Sequence, residues 1–242
     1  MEVNKIDWMV YSGFRGKAIR SLAVWGAAWC LAGFAASAHA GAQAYETLSA
    51  SVRANLQRAI SDQAAPRTAF ESDAEAKTWL DAMSARLAKR VPDPAERANF
   101  LRTVHYEARR AGLDPQLVLG VIQVESAFRK YAISPAGARG YMQVMPFWIK
   151  EIGLKDHNLF NLRTNLRFGC TILRHYLNIE KGDLFRALGR YNGSLGQPEY
   201  PNMVLGAWKK GWDFPARGGP ARLGTAGDTA INNAPSTRQA PL

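Results

Sequence analysis

The sequence predicts an all-α protein. Apolar residues recur at three- and four-residue spacing through most of the chain, and Asp-Pro pairs stand where helices would begin. No stretch alternates polar and apolar residues for long enough to make a useful strand. An apolar fraction of 47% suits a globular chain, and 242 residues leave room for one ordinary domain with appendages.

Residues 1–40 read as a leader outside that fold. Lys5, Arg15, Lys17 and Arg20 precede an apolar run over Ser21–Ala36, and Ala38-His39-Ala40 supplies a small-x-small cleavage site. The run falls short of the roughly 20 residues of a transmembrane helix, so cleavage and export are expected, with an uncleaved anchor as the alternative. Trp29 ahead of Cys30 argues against lipid attachment, and Cys170 is then the single mature cysteine, with no disulfide to make. Loss of the leader takes the formal charge from +11 to +9. A basic exported protein points to a polyanionic partner in the envelope and away from nucleic acid, although an ordinary solvated surface accounts for the charge about as well.

Leu48, Val52, Leu56, Ala59 and Ile60 give a first amphipathic helix within residues 46–63, which Gln63–Arg67 interrupts. A second begins near Asp73, with Ala76, Leu80, Met83, Leu87 and Val91 as its stripe. Pro92-Asp93-Pro94 breaks the chain and sets the expected boundary between an N-terminal helical extension, 41–93, and a main domain, 94–213. Asp93 caps a third helix whose stripe runs from Phe100 to Ala111, with His105 and Tyr106 structural. Asp114-Pro115 repeats the device. In the helix it opens, Val118, Val121 and Ile122 share a face that Glu125 and Phe128 continue.

A lone glutamate on an apolar face is more often a buried ion pair with arginine than a catalytic group. Here it stands near a helix end, followed by Ile133–Gly140, a shaped loop with two glycines and a proline. After it, Tyr141–Pro146 is expected to start a short helix with Phe147, Trp148 and Ile152 as contacts. A turn at Asn158–Asn161 precedes a helix over Asn165–Asn178, on which Cys170 is a small core hydrophobe and Gly169 admits a close neighbour. Gly182-Asp183 caps a helix carrying Leu184, Ala187, Leu188 and Tyr191, closed by Asn192-Gly193. Pro198 opens a last helix with Met203, Val204, Ala207 and Trp208 inward. The tail, 214–242, is too poor in large apolar residues to order itself.

Three pieces in order, Glu125-Ser126, Gly140-Tyr141-Met142-Gln143 with Val144-Met145-Pro146, and Tyr191-Asn192-Gly193, resemble the soluble, lysozyme-like lytic transglycosylases (glycoside hydrolase family 23, the SLT domain). The resemblance covers about residues 96–212. It implies a lysozyme-like fold, peptidoglycan glycan strands as substrate, and Glu125 as the single catalytic acid/base. It also implies substrate contacts at Ser126, Met142, Gln143 and Asn192, and a Tyr191 hydroxyl on the catalytic carboxylate. Tyr141 stands where the family usually has Leu, and Arg-Tyr-Asn-Gly-Ser departs from the common Ala-Tyr-Asn-Ala-Gly, so Arg190 and Ser194 are expected to alter subsite contacts.

Most glycosidases need two carboxylates. Glu107, Asp156, Glu180, Asp183 and Glu199 read as surface, turn or cap positions, so the substrate is expected to supply its own nucleophile. No His/Cys cluster has ligand spacing, and no cofactor or metal is expected. A monomer in the periplasm or envelope is expected, with a secretion or envelope machine open as partner. A lysozyme-type muramidase and a non-catalytic peptidoglycan-binding assembly protein are the alternatives.

Overall fold

The computed structural model describes residues 43–61 and 72–214, and these carry eight α-helices: α1 Ala50–Ile60, α2 Asp73–Leu87, α3 Pro94–Arg110, α4 Pro115–Ser126, α5 Phe147–Ile152, α6 Leu162–Ile179, α7 Leu184–Asn192 and α8 Glu199–Ala207. A π-helical turn, Trp208–Trp212, continues α8. The only β pairing among the described residues is a pair of isolated bridges, Ile133 with Arg139 and Arg139 with Val144. The fold is all-α, as the sequence predicts. The expectations for the leader 1–40, the Gln63–Arg67 break and the tail from residue 215 lie outside the described residues. Among the described residues no helix is long and apolar enough to cross a membrane.

Side-chain caps set most of the helix starts. Asp93 accepts from the Glu96 N–H, Asp114 from Gln116 and Leu117, Asn161 from Thr164, and Asp183 from Arg186. The Asn161 cap starts α6 three residues ahead of the expected Asn165. Helix α2 stops at Leu87, before Val91, which is nevertheless buried.

Helix α4 sits in the middle of the packing. It contacts α3, α8 and the π-helical turn, and Pro115–Ile122 are buried without a gap. Gly120 favours this close approach, because a Cβ would lie 3.1–3.3 Å from the Trp208 backbone and Cβ, tighter than ordinary contact. Gln123 takes the Trp212 indole N–H at 2.9 Å. Helix α4 is thus gripped from one side by the α8 region, which fixes where Glu125, in its last turn, ends up. On α8, Val204 is fully buried but Met203, expected inward, is 41% exposed. The π-helical turn changes the residue-per-turn count after Ala207, and the inward face is carried by Tyr200, Val204 and Trp212.

The first two helices share one hydrophobic core with the rest. Leu56, Ile60, Trp79, Met83 and Leu87 belong to the same buried cluster as Val104, Ile122 and Leu173. Helix α1 packs on α5 and α6, and α2 on α3 and the π-helical turn.

Candidate active site

Glu125 is 4% exposed. Its Oε1 accepts a 2.6 Å hydrogen bond from the Tyr200 hydroxyl, while Oε2 is buried with no hydrogen-bond partner among the described residues. Burial pushes the carboxyl pKa up to about 8, against a smaller opposing pull from Tyr200. The neutral form is therefore favoured at pH 7. With Oε1 occupied by a phenol donor, the acid proton belongs on Oε2, the oxygen with nothing else to do. Burying such an atom unpaired costs about 1–3 kcal/mol, and a buried unsatisfied group of this kind calls for an explanation.

The hydroxyl on the carboxylate belongs to Tyr200, not to Tyr191. The Tyr191 hydroxyl donates at 2.7 Å to the Met142 carbonyl instead. Both phenols are held well above the ordinary range, by burial first and by the neighbouring Glu125 charge second, so both stay donors. Tyr200 reaches the site because it is in the first turn of α8, four residues before Val204 on the inward face. That i,i+4 spacing is legible in the sequence, but it marks only a core tyrosine.

The loop after α4 turns sharply. Ala127 (φ +49°) and Phe128 (φ +66°) both take the left-handed conformation, rare for residues with a Cβ. Phe128 holds this turn by packing on Phe100 and Trp212, with ring centroids at 6.0 and 5.4 Å. Ser134-Pro135-Ala136-Gly137 closes a tight turn through Gly137 N–H to the Ser134 carbonyl at 2.9 Å, and Ser134 Oγ caps the Ala138 N–H. The returning segment brings Gln143 back beside the loop's start. Its Nε2 donates to the carbonyls of Ala132 (3.1 Å) and Gly140 (2.8 Å), so both amide hydrogens of the expected sugar contact are spent on shaping the loop.

Asn165, absent from the sequence-based site, is the hub of this arrangement. Fully buried, it accepts from the Met142 N–H and donates to the Arg139 and Leu159 carbonyls, each at 2.8 Å. Gly140 (φ +75°) lies so close that a Cβ would sit 2.4 Å from Asn165 Nδ2. Gly169, one turn along α6, would likewise drive a Cβ to 2.5 Å from Met142 Sδ. Asn165 and Gly169 share a helix face at i,i+4, which is the signal that marks them.

The other expected contacts are placed as follows. Ser126 is buried and its Oγ bonds back to the Ile122 carbonyl at 3.2 Å. Met142 is fully buried between Gly169 and Cys170 and meets no solvent. Asn192 donates to Ser194 Oγ at 3.1 Å and keeps a buried Oδ1 without a hydrogen-bond partner among the described residues. Tyr141, in place of the family's Leu, is a core residue against Phe100 at 5.0 Å. Arg190 does not turn to the site. It pairs with Glu180 (2.6 Å) and Glu46 (2.7 Å).

Glu107 corrects another expectation. Read as a surface position, its side chain is fully buried, with Arg167 at 3.0 Å, Arg163 at 3.4 Å and Arg110 at 3.8 Å. Three residues past Val104 on the α3 stripe, it had the same sequence signal as Glu125. It lacks the free oxygen, and a carboxylate committed to three guanidiniums is a structural anion.

Residues 102–200 match the model of the transglycosylase SLT domain. The chain is also similar to a transglycosylase of Enterobacteria phage PRD1, 35% identical over 110 residues, covering 43% of this chain and 40% of the phage protein. Membrane-bound lytic murein transglycosylase C of Actinobacillus pleuropneumoniae is 51% identical over 47 residues, 19% of this chain and 13% of that protein, and its counterpart in Mannheimia succiniciproducens matches to the same extent. The chain thus spans less than half the length of these relatives.

Proposed function

We propose that this chain, which carries a transglycosylase SLT domain over residues 102–200, is a peptidoglycan lytic transglycosylase of the cell envelope. The observation that carries the reading is Glu125: a buried, protonated carboxyl whose one hydrogen-bond partner is a phenol and whose Oε2 is unoccupied. The relatives' names supply the substrate class, murein, and a membrane-associated setting agrees with the basic, apolar leader read in residues 1–40.

In this reading Glu125 protonates the oxygen that joins N-acetylmuramic acid to N-acetylglucosamine, and the bond from that oxygen to C1 of the muramyl residue breaks. The substrate's acetamido carbonyl stabilises the cation at C1. Glu125, now a carboxylate, receives the Tyr200 hydrogen bond more strongly, since charge-assisted hydrogen bonds are roughly twice as strong as neutral ones. It then takes the proton of the C6 hydroxyl as that oxygen closes on C1. The acid regains its proton, no water is consumed, and the product is a 1,6-anhydromuramyl end. One carboxyl serves as acid and base in turn, an arrangement known where the substrate supplies the nucleophile. Asn192 and the side-chain oxygen of Gln143 are the proposed groove contacts, while Ser126, Met142 and Tyr191 hold the site from behind.

Glu125→Gln is the test. The amide keeps the shape and the Tyr200 contact but has no proton to give. Lysis of purified peptidoglycan should fall by at least about a thousandfold with circular dichroism unchanged, given the two proton transfers lost. Retained lysis would remove Glu125 from the chemistry. Retained wall binding and unchanged cellular function without lysis would favour the assembly-protein alternative.

A further inference from the structure

Gln43 lies far outside the matched residues 102–200, yet it is only 3% exposed. Its carboxamide meets the signature segment at two points and α5 at a third. Nε2 donates to the Gln143 carbonyl at 3.5 Å, and Oε1 accepts from the Met145 N–H at 3.3 Å and the Trp148 indole N–H at 3.0 Å. Val144, between the first two, turns its own N–H and C=O to Arg139 at 3.0 Å. The Gln143 carbonyl and the Met145 N–H lie outside that pairing, and Gln43 is what meets them.

The residues beside Gln43 keep it in register. The Tyr45 hydroxyl donates to Glu151 at 3.1 Å and its ring stands edge-on to Phe147 at 5.5 Å. Glu46 pairs with Arg190 at 2.7 Å. The segment so braced needs a brace, because Gln143 is held at φ +46° and Met145 is half-buried with no other bond to its N–H.

We propose that Gln43 is a positioning residue for the Gln143–Met145 segment, so that the catalytic site is completed from outside the transglycosylase domain. The proposal rests on the lytic transglycosylase reading of that site. Gln43 acts on the segment that lines the sugar, not on the acid, so its loss weakens substrate capture and leaves proton transfer alone.

Kinetics of the full chain on soluble glycan strands test it. Gln43→Ala should raise KM about tenfold, the cost of leaving buried hydrogen-bonding groups unpaired, with the pH dependence of kcat unchanged. Gln43→Glu keeps an oxygen for Met145 and Trp148 but loses the donor to the Gln143 carbonyl, so it should recover only part of the loss. Tyr45→Phe, which loosens the arm without touching the segment, should leave KM within about twofold. The proposal is overturned if Gln43→Ala lowers only the melting temperature at wild-type KM. It is equally overturned if KM falls, since the carboxamide would then be competing with a sugar acetamido group for the same two backbone groups. Anhydro-product release by the unaltered protein in the same assay reports separately on the underlying reading.

Discussion

A carboxyl with a pKa of about 8 is unusual for glutamate, and Glu125 owes it to burial. As the general acid it should give a rate that declines as pH rises through about 8. Tyr200→Phe removes the hydrogen bond that favours the ionised form, so the alkaline limb should move higher while kcat falls about tenfold. An unmoved limb in the pH–rate profile would take Tyr200 out of the mechanism. The same shift governs stability. The folded state holds its Glu125 proton more tightly than the unfolded chain, whose value is near 4.5, so stability is lost as pH rises between there and about 8. Glu125 itself was legible in the sequence, because the 3–4 spacing of Val121, Ile122 and Glu125 sets its face and the Gly-Pro loop sets its place at an end. The tyrosine was not. Tyr191 and Tyr200 both sit on apolar helix faces, and which hydroxyl meets the acid depends on how closely α8 approaches α4, a distance set by Gly120 and the Trp208 backbone.

At the scale of elements, the loop between α4 and α5 converts a helix end into a site, and α6 holds it through Asn165. Gly140→Ala tests that dependence. It needs a left-handed φ and a Cβ where Asn165 and the Leu159 carbonyl already stand, so it should destabilise the fold by about 2 kcal/mol, as overpacking does, and lower activity with it. Denaturant unfolding beside a lysis assay reads both effects, and a neutral Gly140→Ala would refute the role of Asn165. The sequence announced a shaped loop through its glycines and proline. It could not announce Asn165, because a buried asparagine on a helix resembles any polar residue until its three backbone partners converge. Glu107 and Met203 were misplaced for related reasons. Three arginines up to sixty residues away surround Glu107, and the inward face of α8 runs through Tyr200 and Val204, which leaves Met203 outside.

Over the described residues, one core runs from Leu48 to Trp212, and the residues before α1 reach Gln143, Met145 and Trp148 beyond the Ile133–Gly140 loop. The all-α class and the starts of α3, α4 and α7 were legible because Asp93-Pro94, Asp114-Pro115 and Asp183 write them locally, whereas the Asn161 cap of α6 was not read. The N-terminal arm's place was not legible, since a glutamine near the start of a chain has no periodicity to read. The proposed activity is decided by its products. Mass spectrometry of the muropeptides released from purified peptidoglycan tests the central claim most directly. The account predicts 1,6-anhydromuramyl ends, lighter than their hydrolytic counterparts by one water. Reducing muramyl ends carrying that water would contradict it and make the protein a muramidase.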